Sequence, residues 1–452
     1  MNRHVIRKGH DIPLVGEARD VVEQAPPSTT IALRTADITG HKFKIAVNEG
    51  DRVAPGQILC YTRQFPDVCF RSPAGGTVKE IRRGDRRALE EIVIEPDDSD
   101  TPEAFRVFSP VDPDRVDLET LQAHLLQSGL WPLIIQRPLA KIAYPQSQPV
   151  SVFINAMASA PLAAQPHVLL RGREEDLIVG VKALSKFGKK TYISVRADGP
   201  AVPGVDKLDG VEVHGFSGPH PAGVPGVHIR KIQPLRRGET AWCVSAVDAA
   251  DIGYMLRTGC FPTERVIALA GPAVREQKYF RVRNGADLNS VLQGRIDPSA
   301  KLRLINGDIL AGVRMDASSH FAGNQTLLTV IPESYKRDFM GWAMPGFKQY
   351  SFFRTFVSSL LPGRKVTLDT RLHGGHRAIV DLGHWHRVLP LDIHLSHLVR
   401  AIQAGDIQEA EDLGLLELAE EDVALCAFVD PSKTDVCGII RKALDLYETE
   451  NI

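Results

Sequence analysis

Val150-Ser151-Val152-Phe153-Ile154-Asn155-Ala156 is an apolar run of strand length, and Thr191-Tyr192-Ile193-Ser194-Val195 is a second. Between them Leu169, Leu177, Val181 and Leu184 keep a helical spacing that Gly188 closes. The pattern predicts a β-α-β unit, which implies parallel strands joined by a right-handed crossover. Upstream, Asp117 is a predicted N-cap for a helix that sets Leu118, Leu121, Leu125 and Leu126 on one side and stops at Gly129. A nucleotide fold is the first suspicion, yet a phosphate loop needs glycines where a strand meets a helix N-terminus, so that backbone N–H groups reach the anion. This stretch holds neither GxGxxG nor a Walker sequence. Residues 214–228 have the glycines but also Pro219, Pro221 and Pro225, which offer no N–H. They read as a rigid structural loop, with a ligand loop as the alternative.

Toward the N-terminus the chain changes character. From Ile31 short apolar runs alternate with turns at Gly50, Gly56, Gly75-Gly76 and Gly84, which argues an all-β unit. Val47-Asn48-Glu49-Gly50-Asp51-Arg52-Val53-Ala54-Pro55-Gly56-Gln57-Ile58-Leu59 and Ser72-Pro73-Ala74-Gly75-Gly76-Thr77-Val78 resemble the paired half-motifs of biotinyl/lipoyl-type barrel-sandwich domains. Carriers of that type present a modifiable Lys on the hairpin between the halves. Here the hairpin reads Arg63-Gln64-Phe65-Pro66-Asp67-Val68, without Lys, so a docking module is expected rather than a swinging arm.

Length and charge narrow the function. A chain of 452 residues is long enough for about three domains. Its net charge of −1 supplies no field for coating nucleic acid. No apolar run approaches the ~18–20 residues of a membrane span. The polar N-terminus lacks the apolar core of a secretory signal, which predicts a cytoplasmic protein. Cys60, Cys69, Cys243, Cys260, Cys426 and Cys437 are too scattered for zinc or iron–sulfur ligand runs and read as packed, reduced thiols. No Gly-x-Ser-x-Gly elbow marks a serine hydrolase.

Lys8-Gly9-His10-Asp11-Ile12-Pro13-Leu14, Phe70-Arg71-Ser72-Pro73-Ala74-Gly75-Gly76, Ser128-Gly129-Leu130-Trp131, Phe216-Ser217-Gly218-Pro219-His220-Pro221-Ala222-Gly223, Arg265-Val266-Ile267-Ala268-Leu269-Ala270-Gly271-Pro272, His373-Gly374-Gly375 and Glu420-Glu421-Asp422-Val423-Ala424-Leu425-Cys426 occur in this order. Together they resemble the family of A-type subunits of the sodium-translocating NADH:quinone oxidoreductases (Na+-NQR). More distantly the layout is similar to the C-type subunit of the Rnf complex and to the NADH-binding flavoprotein of respiratory complex I. The resemblance implies a multidomain α/β plus β chain: a barrel-sandwich hybrid over 1–100, a Rossmann-like α/β domain over 101–261, an SLBB-type β-grasp domain over 262–335, and a mainly helical C-terminal region over 336–452. Asp287 is a predicted cap for a short helix inside the third, and Leu391, Leu395, Leu398, Val399 and Ile402 form a core stripe in the fourth.

Against the flavoprotein the departures decide the chemistry. Its Gly-rich loop after Ser-Gly-Leu cradles FMN. Here Ser128-Gly129-Leu130 is followed by Trp131-Pro132-Leu133-Ile134-Ile135-Gln136, which makes Gly129, Leu130 and Trp131 a degenerate flavin-loop position. The flavoprotein's acidic residues after the strand ending at Asn155 are replaced by Ala156-Met157-Ala158-Ser159-Ala160, and its iron–sulfur cysteines are missing. The expectation is a nucleotide fold without its nucleotide, with no flavin, iron, biotin or metal bound by this chain and no catalytic residue of its own. His373, His376, His384, His386, His394 and His397 read as solvated or capping groups, a zinc site being the alternative.

The implied function is a cytoplasmic, peripheral scaffold of a membrane complex that oxidises NADH, reduces ubiquinone and exports sodium, near the quinone-reduction step. Its partners, the integral membrane subunits among them, carry the flavins, the clusters and the sodium path. Quinone pockets have no fixed motif, so contact with quinone is open. The fold class alone implies an alternative, a stand-alone flavin- or NADH-binding oxidoreductase. Residues 8–16 and 214–228 are the expected partner contacts, because rigid exposed loops lose little entropy on binding.

Overall fold

The computed structural model describes residues 1–38, 40–97, 109–322, 324–336, 344–347, 349–353, 355–360, 363–380 and 382–451. The β-α-β reading becomes a seven-stranded sheet in the order Asn2–Val5, Glu212–Ser217, Lys190–Arg196, Ser151–Ala156, Ala241–Ser245, Ile135–Arg137, Lys141–Ile142. The first five strands are parallel and the last two form an antiparallel margin. Strand order reverses beside Ser151–Ala156, the place where doubly wound sheets open a crevice at their C-terminal ends. The expected crossover helix is two helices, Pro166–Leu169 and Glu174–Ser185, because Gly172 takes φ +78° between them, and the second ends before Gly188.

Local caps follow the sequence closely. Asp117 accepts a hydrogen bond from the Thr120 N–H and starts the Leu118–Ser128 helix, which ends on Gly129 at φ +73°. Asp287 likewise accepts from the Ser290 N–H and starts Leu288–Leu292.

Two smaller sheets face each other in the barrel-sandwich. Ile31–Arg34, Leu89–Pro96, Gly76–Arg83 and Arg52–Val53 form one, and Phe43–Ile45, Ile58–Thr62 and Cys69–Arg71 the other. Leu59, Cys60, Ile92 and Ile94 are fully buried between them and continue into the core of the α/β unit. A six-stranded mixed sheet, Val313–Met315, Leu302–Asn306, Leu327–Pro332, Glu264–Ala270, Lys278–Arg283 and Arg19–Gln24, carries the β-grasp core with Leu288–Leu292 against it. Residues before Ile31 belong to neither barrel sheet. Asn2–Val5 lies on the edge of the seven-stranded sheet, and Arg19–Gln24 on the edge of the six-stranded one.

Beyond residue 383 the described chain is helical, and the predicted stripe is core: Leu395, Leu398 and Val399 are buried in Leu395–Ala404. That core reaches back to Ile6, Ile12, Leu14 and Phe216. Here the expectation of exposed loops is met only in part, with Asp11 and Val15 exposed in residues 8–16. Residues 214–228 are a strand, a turn and the helix Pro225–Ile232, and Phe216, His220, Ala222 and His228 in them are buried. Residues 8–16 pack onto that turn, with the His10 N–H donating to the His220 carbonyl and the His220 N–H to Asp11. The two segments cover each other. The glycines serve close packing: a Cβ on Gly226 would stand 2.2 Å from Oδ1 of Asp422.

Glu91 clasps the barrel to the β-grasp unit. Its carboxylate accepts from Arg34 at 2.9 Å, Arg82 at 2.8 Å, and the backbone and ring nitrogens of His320 at 3.2 and 3.0 Å. Burial opposes the charge, but the bonds from His320 and Arg34 outweigh it and hold the carboxyl at about 2. A depressed carboxyl stabilises the fold above its unfolded value and loses that contribution as pH falls toward the folded one. Between pH 4.5 and 2 this group should therefore withdraw about 3 kcal/mol. Urea unfolding of wild type and Glu91→Gln at pH 7 and pH 3 checks this: the variant should be weaker at pH 7 and lose less on acidification.

Candidate functional site

The degenerate loop is a filled one. Trp131 is fully buried, donates its indole N–H to the Ala143 carbonyl at 2.7 Å, and packs edge-on against Trp242 with ring centroids 5.3 Å apart. Gly129 and Leu130 precede it as helix cap and core residue. The turn Trp131–Leu133 is thus built to hold an indole, with Pro132 supplying no donor.

A crevice of about 340 Å³ opens at the carboxyl ends of Ser151–Ala156 and Ala241–Ser245. It lies where this fold class holds a nucleotide, and its chemistry does not suit a phosphate. Of the helices that follow the parallel strands, Pro166–Leu169 and Pro225–Ile232 begin with proline, and Glu174–Ser185 carries Glu174, Glu175 and Asp176 in its first turn. In Ala246–Thr258 the N-terminal donors are met by the chain itself: Ser245 Oγ accepts from the Asp248 N–H at 3.0 Å and donates to the Asp248 carboxylate at 2.6 Å. The Asp248 carboxylate in that first turn takes the place an anion would need at the crevice. Asn155 donates to the Gly223 carbonyl at 2.9 Å, and Ser159 meets Nδ1 of His220 at 3.1 Å, so the loops that rim the crevice are tied together.

A second cavity, of about 240 Å³, lies where the barrel, the α/β unit and the β-grasp unit meet. Leu33, Ile38, Phe70, Leu130, Leu133 and Phe261 give it apolar walls. Its cations are largely committed. Arg34 is paired with Asp37 and Glu91, Lys141 with Asp445 and Glu448, and Arg71 donates to the carbonyls of Gly56 and Gln127. Arg265 is different. Its side chain is 2% exposed, and Nη2 alone is bonded, to Asp248 at 2.8 Å and to Asp251. Nε and Nη1 have no partner among the described residues. The buried guanidinium borders this apolar cavity, with Nε and Nη1 shielded from solvent. No short motif signals Arg265, because the site comes together only when three domains pack.

The other titratable candidates stay apart. Cys60 and Cys69 sit on neighbouring strands, buried, and burial pushes the Cys60 and Cys243 thiols up to about 12. His394 is the residue before the Leu395–Ala404 helix rather than on its face, with its ring 6.0 Å from His397. His376 meets the Lys433 carbonyl and His386 the Lys8 ammonium. Among the described residues no three His, Cys, Asp or Glu side chains converge as metal ligands.

Residues 4–97 match the family described as the NqrA N-terminal barrel-sandwich hybrid domain, 116–261 the NqrA second alpha/beta domain, and 266–317 the NQRA C-terminal domain. The A-type subunit of the Na(+)-translocating NADH-quinone reductase from Rhodopirellula baltica is 37% identical over 447 residues, which covers 98% of each chain. The chain belongs to this NqrA family. The Pseudomonas aeruginosa protein of the same name is 37% identical across 98% of this chain and 99% of its own, and that of Photorhabdus laumondii 36% across the same shares. Among solved structures an NAD+-reducing [NiFe]-hydrogenase in the H2-reduced state gives a TM-score of 0.35 at 11% identity, over 51% of each chain. Membership of the NqrA family makes this chain one component of a Na+-translocating NADH-quinone reductase. No helix among the described residues is long and apolar enough to cross a membrane.

Proposed function

We propose that this NqrA-family chain is the redox-inert scaffold on which the complex reduces quinone, with the quinone ring in the three-domain cavity. The apolar cavity between the three domains, with the Arg265 guanidinium on its border, carries this reading. The apolar walls take the ring, with a carbonyl oxygen turned toward the guanidinium. As electrons arrive, charge develops on that oxygen. A fixed guanidinium in a water-poor cavity then stabilises the reduced form more than the oxidised one. Electrons come from NADH through partner subunits that carry the flavins, the clusters and the sodium path. The buried Trp131 and the Asp248 carboxylate in the first turn of Ala246–Thr258 at the crevice weigh against a stand-alone flavin or NADH enzyme.

The chain sits on the cytoplasmic side of the membrane, held by protein. Because residues 214–228 are largely buried, the contact surface is sought elsewhere. Tyr335, Met344, Phe347 and Leu360, each more than half exposed, support a contact in that region of the chain. The test is Arg265→Lys in the assembled complex, which keeps the charge facing Asp248 and Asp251 and removes the planar guanidinium. KM for a short-chain ubiquinone should rise about tenfold, the cost of about 1.4 kcal/mol of hydrogen bonding. NADH oxidation by ferricyanide should hold steady. An unchanged quinone KM overturns the reading.

A further inference from the structure

One edge of the seven-stranded sheet is open. Asn2–Val5 is the strand at that edge, paired on one side with Glu212–Ser217 and flanked on the other by no strand among the described residues. The Ile6 N–H donates to the Ser217 carbonyl at 2.8 Å. Backbone groups alternate sides along a strand, so Asn2 and His4 also bond the sheet while Arg3 and Val5 turn their N–H and C=O outward. His4 fixes the strand: its ring meets Nδ1 of His214 at 2.9 Å and stacks on Phe216 with centroids 4.7 Å apart. Arg3 and Val5 lie on the opposite face, exposed, Val5 by 69%.

At its carboxyl end the strand runs into a groove of about 410 Å³, lined by residues 5–8, the end of the Pro225–Ile232 helix and residues 390–392. Arg7, Lys8, Arg230 and Lys231 bring four cations to it. Arg230 and Lys231 sit in the last turn of the helix, where its dipole is negative. Asp392 is the acid among the lining residues; it and Glu417 each stand 3.7 Å from Arg230, too far for a hydrogen bond. Lys8 meets the ring of His386 at 3.4 Å. Arg3, Arg7 and Lys231 have no carboxylate partner among the described residues. In a chain of net charge −1 this is a local concentration of positive charge beside a free sheet edge.

We propose that this edge docks an extended acidic segment of another subunit, which adds a strand along Arg3–Val5 and lays its carboxylates against Arg3, Arg7 and Lys231. A row of backbone donors and acceptors calls for a strand, which a lipid surface does not supply. A second copy of this chain would bring a like-charged edge against it, so the arginines select an acidic partner and repel self-pairing. The segment continues into the groove, where Val5, Pro390 and Leu391 offer apolar walls. Because His4 already holds the strand, little order is lost on docking. This contact adds to the one supported by Tyr335 and its exposed neighbours, and it does not depend on the quinone cavity.

Val5→Pro tests the strand, because it removes a donor at the open edge and none that bonds Glu212–Ser217, and its ring obstructs a partner strand. The isolated full-length chain should unfold at the wild-type urea midpoint. In the purified complex, the NaCl concentration that releases half of this chain should fall roughly twofold in Val5→Pro and in the double variant Arg7→Glu, Lys231→Glu. With Val5 replaced by p-benzoylphenylalanine, irradiation of the complex should join residue 5 to a stretch of another subunit that carries Asp or Glu. A release point unchanged in both variants overturns the proposal, and leaves the chain held at the other contact. A lowered urea midpoint in Val5→Pro overturns it too, since the edge would then be used within the fold. So does a cross-link to lipid, to a second copy of this chain, or to a segment without acids.

Discussion

Asp422→Ala is expected to lower the unfolding free energy of this chain by about 3–5 kcal/mol. Asp422 is fully buried and accepts from Nη1 of Arg137 at 2.9 Å and from the Ala419 N–H at 2.7 Å. It thus caps the Glu420–Val429 helix and neutralises an arginine that is itself 3% exposed. Truncation leaves the guanidinium buried with Glu421 as its remaining carboxylate, on the solvent side, and strips a helix N-terminus of its cap. Breaking a buried pair costs more than deleting it. The double variant Arg137→Met, Asp422→Leu should therefore recover most of the loss. Urea midpoints of the three chains at pH 7 decide the matter: equal midpoints for the double and the single variant would show that the joint is held by packing, not charge.

Trp131→Ala should cost a similar ~3–5 kcal/mol, the range for a fully buried aromatic whose cavity cannot collapse. Trp242 and Phe187 would lose the indole they pack against, and the Ala143 carbonyl its donor. The enlarged space should still not take up FMN. Pro132 withholds a backbone donor, and Asp248 still occupies the first turn of Ala246–Thr258 at the crevice. An absorbance spectrum of the variant after dialysis against FMN reads this directly. Retained flavin would mean that the indole is a plug in an otherwise competent site.

What was legible in the sequence was local. Asp117, Gly129 and Asp287 act as the caps their spacing announced, because a cap depends only on residues a turn away. The parallel strands and the glycine-paired barrel halves followed for the same reason. Residues 214–228 misled. Glycine and proline signal tight geometry, but they do not say whether that geometry faces water or Asp422, and the answer came from a helix two hundred residues downstream. Arg265 was read only as part of a family match. Its place on the cavity depends on carboxylates at 248 and 251 claiming a single nitrogen, a fact of packing that no spacing encodes.

The placement of residues 2–24 bears on how the polypeptide can be made and cut. Asn2 pairs with His214, and the Arg19–Gln24 strand pairs along Lys278–Arg283. At a ribosomal speed of ~5–20 residues per second, the first strand waits on the order of 10–40 s for its neighbour to be synthesised. During that wait its edge is available to the wrong partner, and two sheets must finish closing after most of the chain has emerged. The same threading means that an excised α/β fragment starting at residue 116 would leave Glu212–Ser217 as a bare sheet edge. Supplying residues 1–16 as a separate peptide should then solubilise the fragment by completing it.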